Sequence, residues 1–197
     1  MIGLLDYGGS NLASVSSAFA RLGAKTRIVR RPGEISACDA LVIPGVGSFN
    51  AAMERLAPLR PAISAFAESG KPALGICLGM QVLFEKGSEG GDVKGLGLLS
   101  GSVEKMGFAP KLPHVGWNTA VAVRESPLFR GLGKEWFYFV HSFACKPSRE
   151  SDLLAVTEYG QLFASAVERE NVLGVQFHPE KSGAAGERLL KNFLEMV

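Results

Sequence analysis

Cys77 stands in the run Gly75-Ile76-Cys77-Leu78-Gly79-Met80-Gln81, between the apolar stretch Ala73–Ile76 and a stretch of helical composition, Leu78–Phe84. A cysteine at such a junction has the form of a nucleophile elbow: the chain turns sharply from strand to helix and leaves the sulfur at the edge of a sheet. Gly75 and Gly79 permit the turn and let the helix approach the strand closely. Free amides and the positive end of a helix dipole favour the thiolate there, so the chemistry on offer is nucleophilic attack. A single cysteine in apolar surroundings is more often an inert core residue, and the flanking glycines are what favour function here.

A thiol nucleophile needs an imidazole, and the chain offers His114, His141 and His178. His178-Pro179-Glu180 follows the apolar run Val172–Phe177, and Pro179 biases the residue before it toward an extended backbone. Residues i and i+2 of an extended segment share a side, so the Glu180 carboxylate can hold one imidazole nitrogen while the other faces a thiol. Alone, such a pair reads as a strand-end histidine beside a solvated carboxylate. With the elbow in the same chain it supplies base and orienter. Pro44-Gly45-Val46-Gly47 ends a further apolar run, Ala40–Ile43, in the place where parallel sheets bind their substrates. Amides at Val46 and Gly47, with that of Leu78, are candidate oxyanion donors, although glycine-rich turns of this kind often exist for steric reasons alone. The Gly8-Gly9-Ser10 and Gly87-Ser88-Glu89-Gly90-Gly91 stretches lack the spacing of nucleotide-binding loops and read as plain loops.

The elements that must hold these residues follow from the apolar pattern. Strand-like runs at Ile2–Leu5, Thr26–Val29, Ala40–Ile43 and Ala73–Ile76 alternate with helical ones. Leu12, Val15, Phe19 and Leu22 define the first helix, with Ser10 or Asn11 as cap and Gly23 as stop, and Phe49–Leu56 and Ala62–Glu68 define two more. This alternation predicts a parallel sheet covered on both faces. Later runs at Ala120–Val123, Trp136–Val140, Leu154–Thr157, Phe163–Val167 and Val172–Phe177 are joined with few helices, which predicts an antiparallel extension of the same sheet. A final amphipathic helix uses Leu189, Leu190, Phe193 and Leu194. No repeat or linker interrupts the 197 residues, so one domain, 1–197, is expected.

Composition narrows the function further. Hydrophobic residues make up 47% and charged residues 20%, as in a chain that folds throughout. A net charge of +2 from interspersed charges provides no field for nucleic acid or anionic lipid. Cys38, Cys77 and Cys145 fit neither a disulfide framework nor a metal site, which points to a reducing cytoplasm and calls for no metal or cofactor. No segment is long enough to span a bilayer, and Met1–Asp6 has no basic leader.

Taken together, Pro44-Gly45-Val46-Gly47, the Gly75–Gln81 run and His178-Pro179-Glu180-Lys181 resemble the class I (triad) glutamine amidotransferases, in order and spacing along nearly the whole chain. The resemblance implies a three-layer, flavodoxin-like α/β fold with a mostly parallel central sheet and an antiparallel extension. It implies Cys77 as nucleophile, His178 as general base and acid, and Glu180 as the group orienting His178. It further implies that Gln81, Glu89 and the backbone around Ser142 and Phe143 bind L-glutamine. Within the family, the segments 6–12, 111–118 and 138–143 look like those of glutaminase subunits of imidazole glycerol phosphate synthases, with Gly9 and Ser10 departing from the usual first turn. That implies a heterodimer with a (β/α)8-barrel cyclase of histidine biosynthesis, which uses the released ammonia to form imidazole glycerol phosphate and the purine precursor AICAR. Trp117, an aromatic suited to an interface, and Lys181 would then face the cyclase rather than act as a packing residue and a solvated charge. Other readings are the glutaminase of pyridoxal phosphate synthase, another intracellular cysteine hydrolase, and a catalytically dead binding module. The Cys-Leu-Gly-Met-Gln wording and the Pro-His-Val-Gly-Trp-Asn segment speak against the first, and the intact triad speaks against the last.

Overall fold

The computed structural model describes residues 1–8 and 11–197. Its first strand, β1 (Ile2–Leu5), is buried along its whole length. A run with no polar side requires helices over both faces of its sheet. Helix α1 (Leu12–Arg21), β2 (Thr26–Val29), α2 (Pro32–Ser36), β3 (Ala40–Gly45), α3 (Phe49–Leu56), α4 (Arg60–Glu68), β4 (Ala73–Cys77) and the short α5 (Leu78–Val82) follow. Strands β5 (Phe84–Gly87), β6 (Val93–Lys94), β7 (Leu99–Lys105), β8 (His114–Ala122), β9 (Lys134–His141), β10 (Phe143–Pro147), β11 (Leu153–Glu158), β12 (Leu162–Arg169) and β13 (Val172–Val175) come next, and α6 (Gly183–Leu194) follows them.

The strands form one open mixed sheet in the order β2-β1-β3-β4-β13-β12-β10-β7-β5-β6, with β11 branching from β12 and leading through β8 to β9. Neighbours from β2 to β13 run parallel. Beyond β13 the pairing is antiparallel except between β5 and β7. Alternation along the central strands fills two cores. Ile2, Leu4, Val42, Leu74 and Ile76 meet Val15 and Phe19 of α1 and Leu189, Leu190 and Phe193 of α6 on one side. Leu5, Leu41 and Ile43 meet Ile35, Phe49, Met53, Ile63 and Phe66 on the other. Helix, sheet and helix are thus three layers. Each buried Leu, Ile or Phe contributes about 1.5–3 kcal/mol, which holds the strand ends in fixed positions.

The expected helix Leu78–Phe84 stops at Val82, and Phe84 opens a strand instead. Leu83 and Phe84 are both fully buried, so adjacent apolar residues satisfied either periodicity. Strand β3 continues through Pro44 and Gly45, which pair with Ile76 and Cys77, leaving only Val46 and Gly47 as the turn. The antiparallel part is larger than the pattern predicted, because β5, β6, β7 and β10 were not legible in it. Ser10, one expected cap of α1, lies outside the described residues, and Asn11 occupies the cap position without a side-chain capping bond.

Candidate active site

Cys77 ends β4 with φ +56° and ψ −110°, the left-handed region that non-glycine residues avoid. The strain is held in place by packing. A Cβ on Gly79 would overlap the Ile43 carbonyl of β3, and one on Gly75 would overlap the backbone of Gly79. Only glycines let α5 seat this close to the sheet, and that seat forces the turn at Cys77. Cys77 is 6% exposed, so its thiol lines a recessed hollow rather than standing free at the sheet edge as the sequence suggested.

That hollow, of about 260 Å³, is lined by Val46, Gly47, Cys77, Leu78, Gln81 and Glu89, and on the far wall by Pro113, Val140, His141, Ser142 and Phe143. All the residues predicted as oxyanion donors or substrate contacts therefore border one space with the thiol. Leu78 begins α5, where amides have no intrahelical partner. Glu89 accepts the Phe49 amide at the start of α3 at 2.7 Å, which fixes its loop over the hollow. The Ser142 carbonyl takes the Met106 amide at 3.0 Å, and the Phe143 carbonyl takes Gln81 Nε2 at 3.0 Å. Two larger hollows, of about 740 and 570 Å³, lie elsewhere, and neither contains a triad residue.

His178 follows β13 and is pinned from both sides: its amide donates to the Tyr138 carbonyl at 2.9 Å, and its own carbonyl accepts Ser182 Oγ at 2.6 Å. The same Ser182 hydroxyl accepts the Tyr138 amide at 3.0 Å, so one side chain ties the histidine to β9. Glu180 Oε1 lies 2.8 Å from His178 Nδ1, as expected, but a 3₁₀ turn over Pro179–Lys181 brings them together, not continued extended chain. A carboxylate can only accept from Nδ1–H, so Nε2 is the nitrogen left for the thiol. Nε2 is buried with no hydrogen-bond partner among the described residues, and Cys77 is near enough to act on the ring. Burial pulls the His178 pKa down, but hydrogen bonding and charge from Cys77 and Glu180 outweigh it and raise it to about 10. At rest, then, His178 is an imidazolium, held by the Glu180 carboxylate at Nδ1.

Several residues of the site were not singled out in the sequence. Asn11, read as a helix cap, sends its Nδ2 to Glu180 Oε1 at 3.2 Å. Gln176, buried in an otherwise apolar run, places Nε2 3.6 Å from Cys77 Sγ. A glutamine amid buried valines and leucines is itself a signal, since such a group requires partners. His114 and His141 are buried and bonded to each other at 3.0 Å, and burial lowers both to about 4, so both are neutral. Trp117 is 53% exposed, with its ring 6.2 Å from Tyr138, and the exposed Lys181 carries Nζ 5.8 Å from the Tyr138 ring. These two predicted interface residues share one surface, outside the hollow.

An elbow thiol and a carboxylate-held histidine beside one small hollow match the arrangement of a triad hydrolase, here on an open α/β sheet. The family model for class-I glutamine amidotransferases matches residues 3–197, and the chain belongs to that family. Among curated relatives, it is 48% identical over 204 residues to the imidazole glycerol phosphate synthase subunit HisH of Wolinella succinogenes, covering 100% of both chains. It is 45% identical over 198 residues to the protein of the same name from Methanocaldococcus jannaschii, again covering 100% of both. Among solved structures, it matches one described as a glutamine amidotransferase with TM-score 0.79 at 23% identity, covering 99% of this chain and 97% of that one. PurLQS from Thermotoga maritima matches with TM-score 0.80 at 18% identity over 98% of this chain and 97% of that one, a likeness of fold.

Proposed function

We propose that the chain works as one domain, 1–197, and is the glutaminase subunit of an imidazole glycerol phosphate synthase, hydrolysing L-glutamine through Cys77, His178 and Glu180. The observation that carries this reading is the buried His178–Glu180 pair set against a strained elbow cysteine on the wall of a hollow. Cys77 Sγ attacks the side-chain amide carbon of glutamine. Negative charge develops on the amide oxygen and is met by amides of Val46 or Gly47 and of Leu78. His178 Nε2–H protonates the departing nitrogen, ammonia leaves, and a glutamyl thioester remains. Neutral His178 then takes a proton from water as it attacks the thioester, and the C–S bond breaks, releasing glutamate and leaving the Cys77 sulfur free beside the re-protonated histidine. Glu180 keeps the imidazole in register throughout, and Gln81, Glu89, Ser142 and Phe143 hold the amino-acid end of the substrate.

The ammonia passes to a (β/α)8-barrel cyclase in a heterodimer, by analogy with the relatives that carry the synthase name. Val115, Trp117 and Val121 of β8 and Trp136 of β9 are exposed and alternate on the sheet face that also carries Tyr138. An exposed aromatic and apolar face of this kind supports a docking role for Trp117 and, beside it, Lys181. Among the described residues no helix is long and apolar enough to cross a membrane. We place the enzyme in the cytoplasm, with histidine biosynthesis. Mixing the purified chain with candidate acceptor synthases tests the assignment: only the cyclase should gain glutamine-dependent product, and a response from another acceptor alone would overturn it.

A further inference from the structure

Gln176 joins the nucleophile to the wall of the hollow through bonds whose direction can be worked out. The two ends of an amide are told apart by their partners. The Phe143 carbonyl can only accept, so the end of Gln81 lying 3.0 Å from it is the NH2. That NH2 sends its second hydrogen to Gln176 at 3.1 Å, which must therefore present Oε1. The remaining end of Gln176, 3.6 Å from Cys77 Sγ, is then its own NH2.

A second chain of bonds reaches the same carbonyl and agrees. The Thr119 amide donates to Asn118 Oδ1 at 2.8 Å, so Asn118 Nδ2 donates to His114 Nε2 at 3.3 Å. His114 Nδ1–H is left to donate to His141 Nε2 at 3.0 Å, and His141 Nδ1–H to the Phe143 carbonyl at 2.9 Å. With two donors, that carbonyl has used its capacity, and neither imidazole nor amide can reverse without leaving a buried group unpaired.

We propose that Gln176 is a further functional residue of the nucleophile's site: it aims a fixed amide N–H at the Cys77 sulfur, stabilises negative charge when it forms there, and ties that donor through Gln81 to the substrate hollow. A donor locked before substrate arrives needs no reorganisation during attack. The end of Gln81 left over is Oε1, so Gln81 offers the hollow an acceptor, suited to N–H groups of the substrate. This assignment rests on the glutaminase reading for its purpose, but not for its test.

Gln176→Met keeps length and removes the N–H, while Gln176→Glu puts a carboxylate oxygen beside the sulfur. Alkylation of Cys77 by iodoacetamide at pH 7, read on the Cys77 peptide by mass spectrometry, should slow roughly tenfold in the first variant and more in the second. Glutaminase kcat should fall in parallel, with KM changed less. Parent-like alkylation in both variants, with circular dichroism showing intact folds, overturns the proposal. Should both variants fail to fold, the parent protein decides: in 15N-labelled chain the Gln176 side-chain amide signals should move when Cys77 is alkylated, and unmoved signals overturn it. Slowed alkylation in a chain that does not hydrolyse glutamine would leave the proposal standing and remove the glutaminase reading.

Discussion

Glu180→Gln separates the electrostatics of the site from its geometry. The substitution keeps an oxygen for His178 Nδ1–H at 2.8 Å and for Asn11 Nδ2 at 3.2 Å. It removes the negative charge and turns the buried Oε2, unpartnered among the described residues, into an NH2 with no acceptor among them. A hydrogen bond to a charged group is worth about 1.5–3 kcal/mol and a neutral one about 0.5–1.5 kcal/mol, so the imidazolium loses on the order of 1 kcal/mol of support. The orphaned NH2 adds about 1–3 kcal/mol against the working geometry. Together these predict a loss in kcat/KM of roughly thirtyfold to just under a thousandfold. His178→Ala removes proton transfer itself and should cost more, at the upper end of the ~10²–10⁴ range for general acid–base catalysis or beyond. The assay is steady-state release of glutamate by the chain saturated with cyclase, from neutral to alkaline pH. His178 is held protonated up to about 10 by Cys77 and Glu180 against the pull of burial, so the parent rate should fall as pH rises through that value. The variant, with one support gone, should fall at lower pH. Parent-like activity, or an alkaline fall that does not move, would refute the reasoning.

Trp117→Ala and Lys181→Ala should lower the ammonia consumed per glutamine hydrolysed, or weaken assembly, while the isolated chain keeps its fold; full coupling and unchanged assembly would return both residues to ordinary surface roles. The isolated chain should hydrolyse glutamine slowly and gain a large factor when the cyclase binds its own ligand. Val46 and Gly47 form the two-residue turn beside the thiol, Gly47 has φ +109°, and misdirecting one oxyanion donor costs ~10²–10³ in rate. A chain already running at the stimulated rate alone would show the turn to be preformed. Acid should destabilise the fold in a window set by His114 and His141, whose pKa values burial lowers to about 4. The unfolded chain takes up those protons from about 6.5 downward. Stability is therefore intact above that value and is lost as pH falls toward 4. Denaturation midpoints across this range should fall less steeply in His114→Gln, which separates imidazole from carboxylate titration; an identical slope would contradict the assignment.

The site was more legible than its scaffold. Cys77 declared itself through Gly75 and Gly79, because a glycine pair around a strand-end cysteine has few other uses. The His178–Glu180 pairing was also readable, although the reason given was incomplete: the residues meet over a 3₁₀ turn, where Pro179 starts the turn instead of prolonging a strand. Asn11 was read only as a cap, the position it does occupy, because its reach to Glu180 spans 169 positions and leaves no local trace. Gln176 lay hidden in the apolar run Val172–Phe177, where its polarity was passed over and not asked for partners. In the scaffold, β7 contains Ser100, Gly101 and Ser102, which blur the alternation that its buried Leu99 and Val103 would otherwise announce. Helix α2 buries Ile35 alone and is too short for any periodicity to register.

The central claim is that Cys77 carries glutamine hydrolysis and nothing else that the complex needs. Cys77→Ala, assembled with the cyclase, should be measured for product formation from glutamine and, separately, from added ammonium salt. The account predicts that the first reaction vanishes and the second continues at the parent rate. Survival of glutamine-dependent synthesis, or loss of both reactions together, would contradict it.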